Sequence, residues 1–130
     1  MKASELMIGD WVFCTYKQQN YKVAEIKTVA GDDLKVVVYD ENIPFVFPMK
    51  YFEPISLTDE ILRNNGFEYF HRNYASISRE HPFALRMDKW PDENGLGGVW
   101  TIRDIIEIRY VHQLQHALRD CGFDKEIKIK

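Results

Sequence analysis

Strand-like runs broken by turn chemistry, one capped helical segment, a second series of strands and a closing amphipathic stretch together predict an α+β protein. The opening part, 9–54, reads as an SH3-like small antiparallel β-barrel. A short helix, a β-meander and a C-terminal amphipathic helix follow, and this second part, 55–130, is expected to share a core with the barrel in a single domain, 1–130.

The β reading of 9–54 rests on β-branched and aromatic residues gathered into short runs. A first strand over 11–16 ends in Lys17, Gln18, Gln19 and Asn20; a second over 21–29 ends in Gly31, Asp32 and Asp33, which suit a tight turn; a third covers 34–39. The fourth, 43–47, carries Pro44 and is followed by Pro48. Neither proline has an N–H to give to a ladder, so this strand belongs at an edge or a barrel corner. Strands this short must close on one another or be covered, because an isolated hairpin buries too little to stand alone.

The segment 58–65 reads as a helix. Ser56 or Thr58 offers an N-cap oxygen, Asp59 and Glu60 complement the positive end of the helix dipole, and Gly66 stops it. Ile61 and Leu62 anchor it, and Phe67 supplies the apolar contact that accompanies a glycine cap. Strands follow over 67–72, 74–79, 83–90 and 99–103, the last two joined by a loop carrying Asn94-Gly95 and Gly97-Gly98. Alternation over 74–78 and 100–103 predicts one buried and one wet face. From Ile108 or Tyr110 onward, Tyr110, Val111, Leu114, Ala117, Leu118 and Cys121 recur at intervals of three and four, the signature of an amphipathic helix that Gly122 ends. The tail 126–130 alternates Ile with Lys and predicts a final edge strand.

Composition narrows the function classes. With 45% hydrophobic and 14% aromatic residues in 130, the chain can fill a core, so disorder is not expected. No apolar run approaches the ~18 residues of a membrane-spanning helix and the start lacks a signal-peptide pattern, so a cytoplasmic protein with no membrane partner is expected. Cys14 and Cys121, near opposite ends and among apolar neighbours, read as core residues rather than a disulfide framework. A net charge of −3 argues against coating nucleic acid through bulk electrostatics, while a local basic face stays open.

The metal lead is His112 with His116, four apart on the predicted last helix, a spacing that puts two imidazoles on one face. Both fall opposite the apolar stripe and no Glu follows His112, so the pair reads first as solvated or hydrogen-bonding histidines and only second as ligands. The loop 88–98 fails as a calcium site, since aligning Gly95 with the required glycine puts Trp90 and Thr101 where carboxylates belong, and its glycines fit no phosphate-cradle motif. No serine elbow and no cysteine beside a basic cluster is present, so no catalytic residue and no cofactor is expected. Two binding surfaces remain: the polar face His112, Gln113, Gln115, His116 and Arg119 of the last helix, and an aromatic group, Trp11, Phe45, Phe47 and Tyr51 with Phe52, among Lys17, Lys22, Lys27, Lys35 and Lys50. The aromatics read first as core filling and second as a face for bases or peptide side chains.

Three blocks carry a family likeness: 3–12 (Ala-Ser-Glu-Leu-Met-Ile-Gly-Asp-Trp-Val), 54–62 with Gly66-Phe67, and 110–115 (Tyr-Val-His-Gln-Leu-Gln). In this order they resemble a family of small uncharacterised proteins of Bacteroides-type bacteria, often encoded in prophage or mobile-element regions. That family continues its last block with an Asn-Leu-Tyr-Phe-Ala-Leu-Thr-Gly-like sequence, so His116 departs from the pattern and the resemblance speaks against an inherited His112–His116 site. It implies no activity and carries over no site residue.

The expected function is accordingly a non-enzymatic protein-interaction or accessory module of phage or mobile-element origin, with the last helix facing an unknown protein partner. A nucleic-acid-binding small barrel is the second reading, and an enzyme or metal-binding protein the third; oligomeric state stays open.

Overall fold

The computed structural model describes residues 5–28, 34–70, 73–76, 85–90, 99–102, 106–123 and 126–129. The fold is α+β with antiparallel sheets. The chain divides into two compact units, 1–55 with 129–130, and 56–128. The predicted turn at Gly31, Asp32 and Asp33 and the loop with Asn94, Gly95, Gly97 and Gly98 lie outside the described residues. Among the described residues no helix is long and apolar enough to cross a membrane.

In the first unit β1 (Trp11–Cys14), β2 (Gln19–Thr28), β3 (Leu34–Asp40), β4 (Ile43–Pro48) and β5 (Phe52–Pro54) form one sheet in the order β4-β3-β2-β1-β5. β4 lies at an edge, where prolines are tolerated. The three-residue β5 is absent from the sequence pattern: a strand this short, ending on Pro54, leaves no alternation to read. A 3-10 turn, Met49–Tyr51, joins β4 to β5. The two edge strands do not pair with one another, so the sheet is open.

The long β2 pairs with β1 over Gln19–Lys22 and with β3 over Val23–Thr28, and a bulge between Val23 and Glu25 interrupts the β3 ladder just after it begins. An extra residue in one strand bends it and increases its twist. Inward-facing Val12, Cys14, Tyr21, Val23, Val36, Val38 and Phe52 make the core, with Ile26, Phe45, Phe47 and Met49 packed against it. The Tyr21 hydroxyl donates to Asp40 Oδ2 at 3.4 Å, and burial first, then the Asp40 charge, pushes its pKa above the ordinary 10.0.

In the β3–β4 hairpin Asp40 faces Ile43, leaving a two-residue loop, and both of its residues have positive φ, Glu41 at 47° and Asn42 at 71°. This is the type I′ pattern, whose twist matches that of the strands it joins. Asn tolerates the left-handed region; Glu does so at a cost of about 1 kcal/mol.

In the second unit Thr58 Oγ1 accepts the Ile61 N–H at 3.2 Å and caps α1 (Asp59–Asn64), which buries Leu62. Gly66, at φ 83°, turns the chain out of the helix. The meander follows as β6 (Phe67–Phe70), β7 (Asn73–Ser76), β8 (Leu85–Trp90) and β9 (Val99–Ile102), continued by a short fifth strand, β10 (Ile106–Ile108), in the order β10-β9-β8-β7-β6. Of the face expected to be wet over 100–103, Thr101 is buried as well as Trp100 and Ile102, and Arg103 lies outside the described residues. β9 has a strand on each side, and a short side chain on an interior strand is shielded by its neighbours. α2 (Val111–Asp120) buries Val111, Leu114, Ala117 and Leu118.

The predicted final edge strand does not form over 126–129. Asn65 takes its place as a pairing partner: its Oδ1 accepts the Lys128 N–H at 2.7 Å and its Nδ2 donates to the Lys128 carbonyl at 3.0 Å, as well as to the Ile61 carbonyl at 2.8 Å. One carboxamide thus offers the donor and acceptor that a neighbouring strand would, and Ile127 is buried beside the clamp.

Both the hairpin and the clamp are open to measurement. Glu41→Asn with Asn42→Gly, the preferred type I′ pair, should raise unfolding stability by about 1 kcal/mol in urea titration; an unchanged midpoint would mean that Glu41 is not strained. Asn65→Ala should cost about 2 kcal/mol and abolish exchange protection of the Lys128 amide, whereas protection persisting in the variant would show that the tail is held by Ile127 alone.

Candidate functional site

The predicted helix face does not assemble as expected. His112 is 2% exposed rather than solvated. Its ring stacks on Tyr110 at 5.8 Å and 8°, and meets His116 edge-on at 5.7 Å. The helical wheel misplaces His112 because it lies in the first turn, where the entering chain can cover a side chain whatever its angle about the axis. Gln113 serves the backbone, for its Oε1 accepts the N–H of the N-cap residue Tyr110 at 3.2 Å, as in a capping box, and that of Arg109 just before the helix at 2.7 Å. Gln115 and His116 are half-buried, and Arg119 is exposed. Among the described residues no group of three or more His, Cys, Asp or Glu stands where it could hold a metal ion.

The aromatic group divides differently. Phe52 belongs to the core, while Trp11, Phe45, Phe47 and Tyr51 are half-buried. Trp11 alternates with the buried Val12 and Cys14, so it faces away from the core, and the ammonium of Lys22, its partner across the β1–β2 ladder, lies 5.4 Å from its ring.

Phe45, Phe47 and Tyr51 come together, and a residue that the sequence pattern does not single out completes them. Tyr16, in the turn between β1 and β2, is 68% exposed. Phe47 is the hub, its ring centre 5.5 Å from Tyr16, 6.2 Å from Phe45, 6.4 Å from Tyr51 and 6.1 Å from Phe52. Tyr16 and Tyr51 are themselves 5.9 Å apart. The signal for Tyr16 is its position: an aromatic followed by Lys-Gln-Gln-Asn at a hairpin tip has few apolar neighbours with which to bury itself.

Local bonding fixes this arrangement. Phe45 and Phe47, two apart on β4, stand directly across the ladder from Val38 and Val36 and share their face of the sheet. Gln18, at φ 54°, closes the β1–β2 turn by donating from Nε2 to the Thr15 carbonyl at 2.6 Å. Thr15 then ties that turn to the 3-10 turn: its N–H at 2.8 Å and its hydroxyl at 3.1 Å both donate to the Tyr51 carbonyl. Two turns distant in sequence are locked side by side, each contributing one tyrosine.

Cations border the rings. The Lys17 ammonium lies 4.4 Å from the centre of Phe45 and that of Lys50 5.3 Å from Tyr51, a favourable contact of about 0.5–1 kcal/mol at an exposed site. The surface can hold apolar or aromatic groups against the rings and attract negative charge at its rim. The pKa-shifted Tyr21 lies in the core and takes no part in it.

The assignment of Gln113 to helix capping is testable. Gln113→Ala should cost about 1 kcal/mol in thermal or urea unfolding, and Gln113→Glu, which keeps an acceptor, should restore most of it; an alanine variant as stable as the parent would return Gln113 to the exposed face. No protein-family model matches the chain, nor does any curated protein or solved structure, so the geometry of these side chains carries the functional reading.

Proposed function

We propose that the first unit is an SH3-like small barrel with an open seam, serving as a non-enzymatic protein-interaction module through the surface of Tyr16, Phe45, Phe47 and Tyr51. The barrel reading is supported by the strand order β4-β3-β2-β1-β5, a bulged β2 serving two ladders, and a 3-10 turn ahead of β5. Phage or mobile-element origin rests on the sequence resemblance alone. The observation that carries the surface is Tyr16. A tyrosine 68% exposed, yet positioned by a turn that Thr15 bonds to the opposite loop, adds little to the core and presents a fixed apolar body with a polar tip. The helix face first expected to meet the partner is reduced to Gln115, His116 and Arg119, with Gln113 engaged in capping and His112 covered.

A displayed random-peptide selection on the full chain tests this reading. Enriched peptides should lose at least about tenfold in affinity for Tyr16→Ala, a variant that gives up its ring contacts with Phe47 and Tyr51 at a cost of about 1 kcal/mol and stays folded. Triple alanine substitution at Gln115, His116 and Arg119 should leave binding intact. Peptides released by the triple variant and retained by Tyr16→Ala would move the interface to α2.

A second reading, a nucleic-acid surface, is favoured by one observation: Lys17, Lys22 and Lys50 each lie over an aromatic ring. It requires retention of single-stranded DNA or RNA that weakens steeply with salt.

A further inference from the structure

We infer that the partner segment is an extended, proline-containing peptide with acidic flanks; this rests on the interaction reading above and names the chemistry of the ligand. Three features point to it. The rings are corrugated rather than flat. Phe45 and Phe47 lie within 14° of parallel, Tyr51 stands at 76° to Phe47, and Tyr16 is tilted at 43° to it. Successive bases stack best on ring faces that lie open and parallel, and the face of Phe45 already carries the Lys17 ammonium. Ridges and slots between tilted rings instead fit compact pyrrolidine rings, whose C–H groups meet the aromatic faces.

The second feature is the backbone beside the patch. β4 is an edge strand, but Pro44 and Pro48 remove two of its N–H groups, so a strand added there would lack ladder bonds. A polyproline II segment has no ladder to complete, and its preformed backbone loses little entropy on docking. The third feature is charge. Lys17 and Lys50 stand at Phe45 and Tyr51, so basic flanks meet like charge and acidic flanks meet opposite charge.

Fluorescence polarization on the full chain, with four labelled probes, tests the inference: a proline-rich peptide flanked by Glu and Asp, the same core flanked by Arg, the acidic peptide with alanine for every proline, and a thymidine oligonucleotide. The acid-flanked proline peptide should bind at least about tenfold tighter than either peptide control, and the double variant Lys17→Glu/Lys50→Glu should reverse the preference between acidic and basic flanks. Absence of binding by the acid-flanked peptide at millimolar concentration overturns the inference, as does equal binding of the alanine peptide or a preference for Arg flanks in the parent chain. If the Arg-flanked or alanine peptide binds and Tyr16→Ala releases it, the ligand chemistry is wrong while the interaction surface stands. If the oligonucleotide alone binds and Tyr16→Ala releases it, both the chemistry and the protein-partner reading fall.

Discussion

The first unit depends on β2 serving two ladders. A single strand pairs with β1 along one part and with β3 along the other, and the bulge between Val23 and Glu25, at the start of the β3 ladder, bends it close to where it passes from one partner to the other. Without that bend, five short strands would make a flat sheet whose apolar face has nothing to pack against. With it, Val12 and Cys14 from one ladder meet Val36 and Val38 from the other around Val23, and a core forms from a small set of side chains. The bend also decides where the sheet fails to close, because β4 and β5 end as its two edges.

That seam explains the aromatic patch. Backbone pairing does not join β4 to β5, so the junction is made by side chains and by the 3-10 turn between them: Phe47 of β4 lies against Phe52 of β5, and Tyr51 packs edge-on to Phe47. Each such ring pair contributes about 0.5–1.5 kcal/mol beyond its buried area, enough to hold a seam that has no ladder. Of the bridging rings Phe52 is buried, while Phe47 and Tyr51 are half-buried, with inner sides that meet the core and outer sides that meet water. A structural demand thus produces an apolar surface before any ligand is considered. Tyr16 is different in kind. At 68% exposure it shields little of the core, and its position owes more to Thr15 and Gln18 than to burial.

Much of this is legible in the sequence, and what is not has physical causes. The strands of the first unit, the edge position implied by Pro44, the Thr58 cap and the apolar stripe of α2 follow from local rules that the tertiary structure leaves in force. β5 and β10 are not legible, because three residues carry no periodicity and such strands exist only through a neighbour already in place. The tail misleads because a strictly alternating pattern says which side chains are buried but not what pairs the backbone; here that partner is the Asn65 carboxamide. The candidate site is half legible. Phe45, Phe47 and Tyr51 stand out as aromatics, but Trp11 faces the opposite side of β1, and Tyr16 joins only through the contact between two turns far apart in the chain.

The helix yields its place as the leading surface for a related reason. A helical wheel assigns faces from angles alone and assumes that every polar side chain pointing outward is free for a partner. Near a helix start that assumption is weakest, because unpaired backbone N–H groups there compete for any nearby acceptor. Gln113 answers the N-cap N–H of Tyr110 together with that of Arg109 before it, and the ring of Tyr110 stacks on His112. The polar face thus loses two members to the helix's own needs. The aromatic patch, whose rings read from sequence as core filling, keeps its outer surface because an open sheet cannot cover both sides of the side chains that seal it.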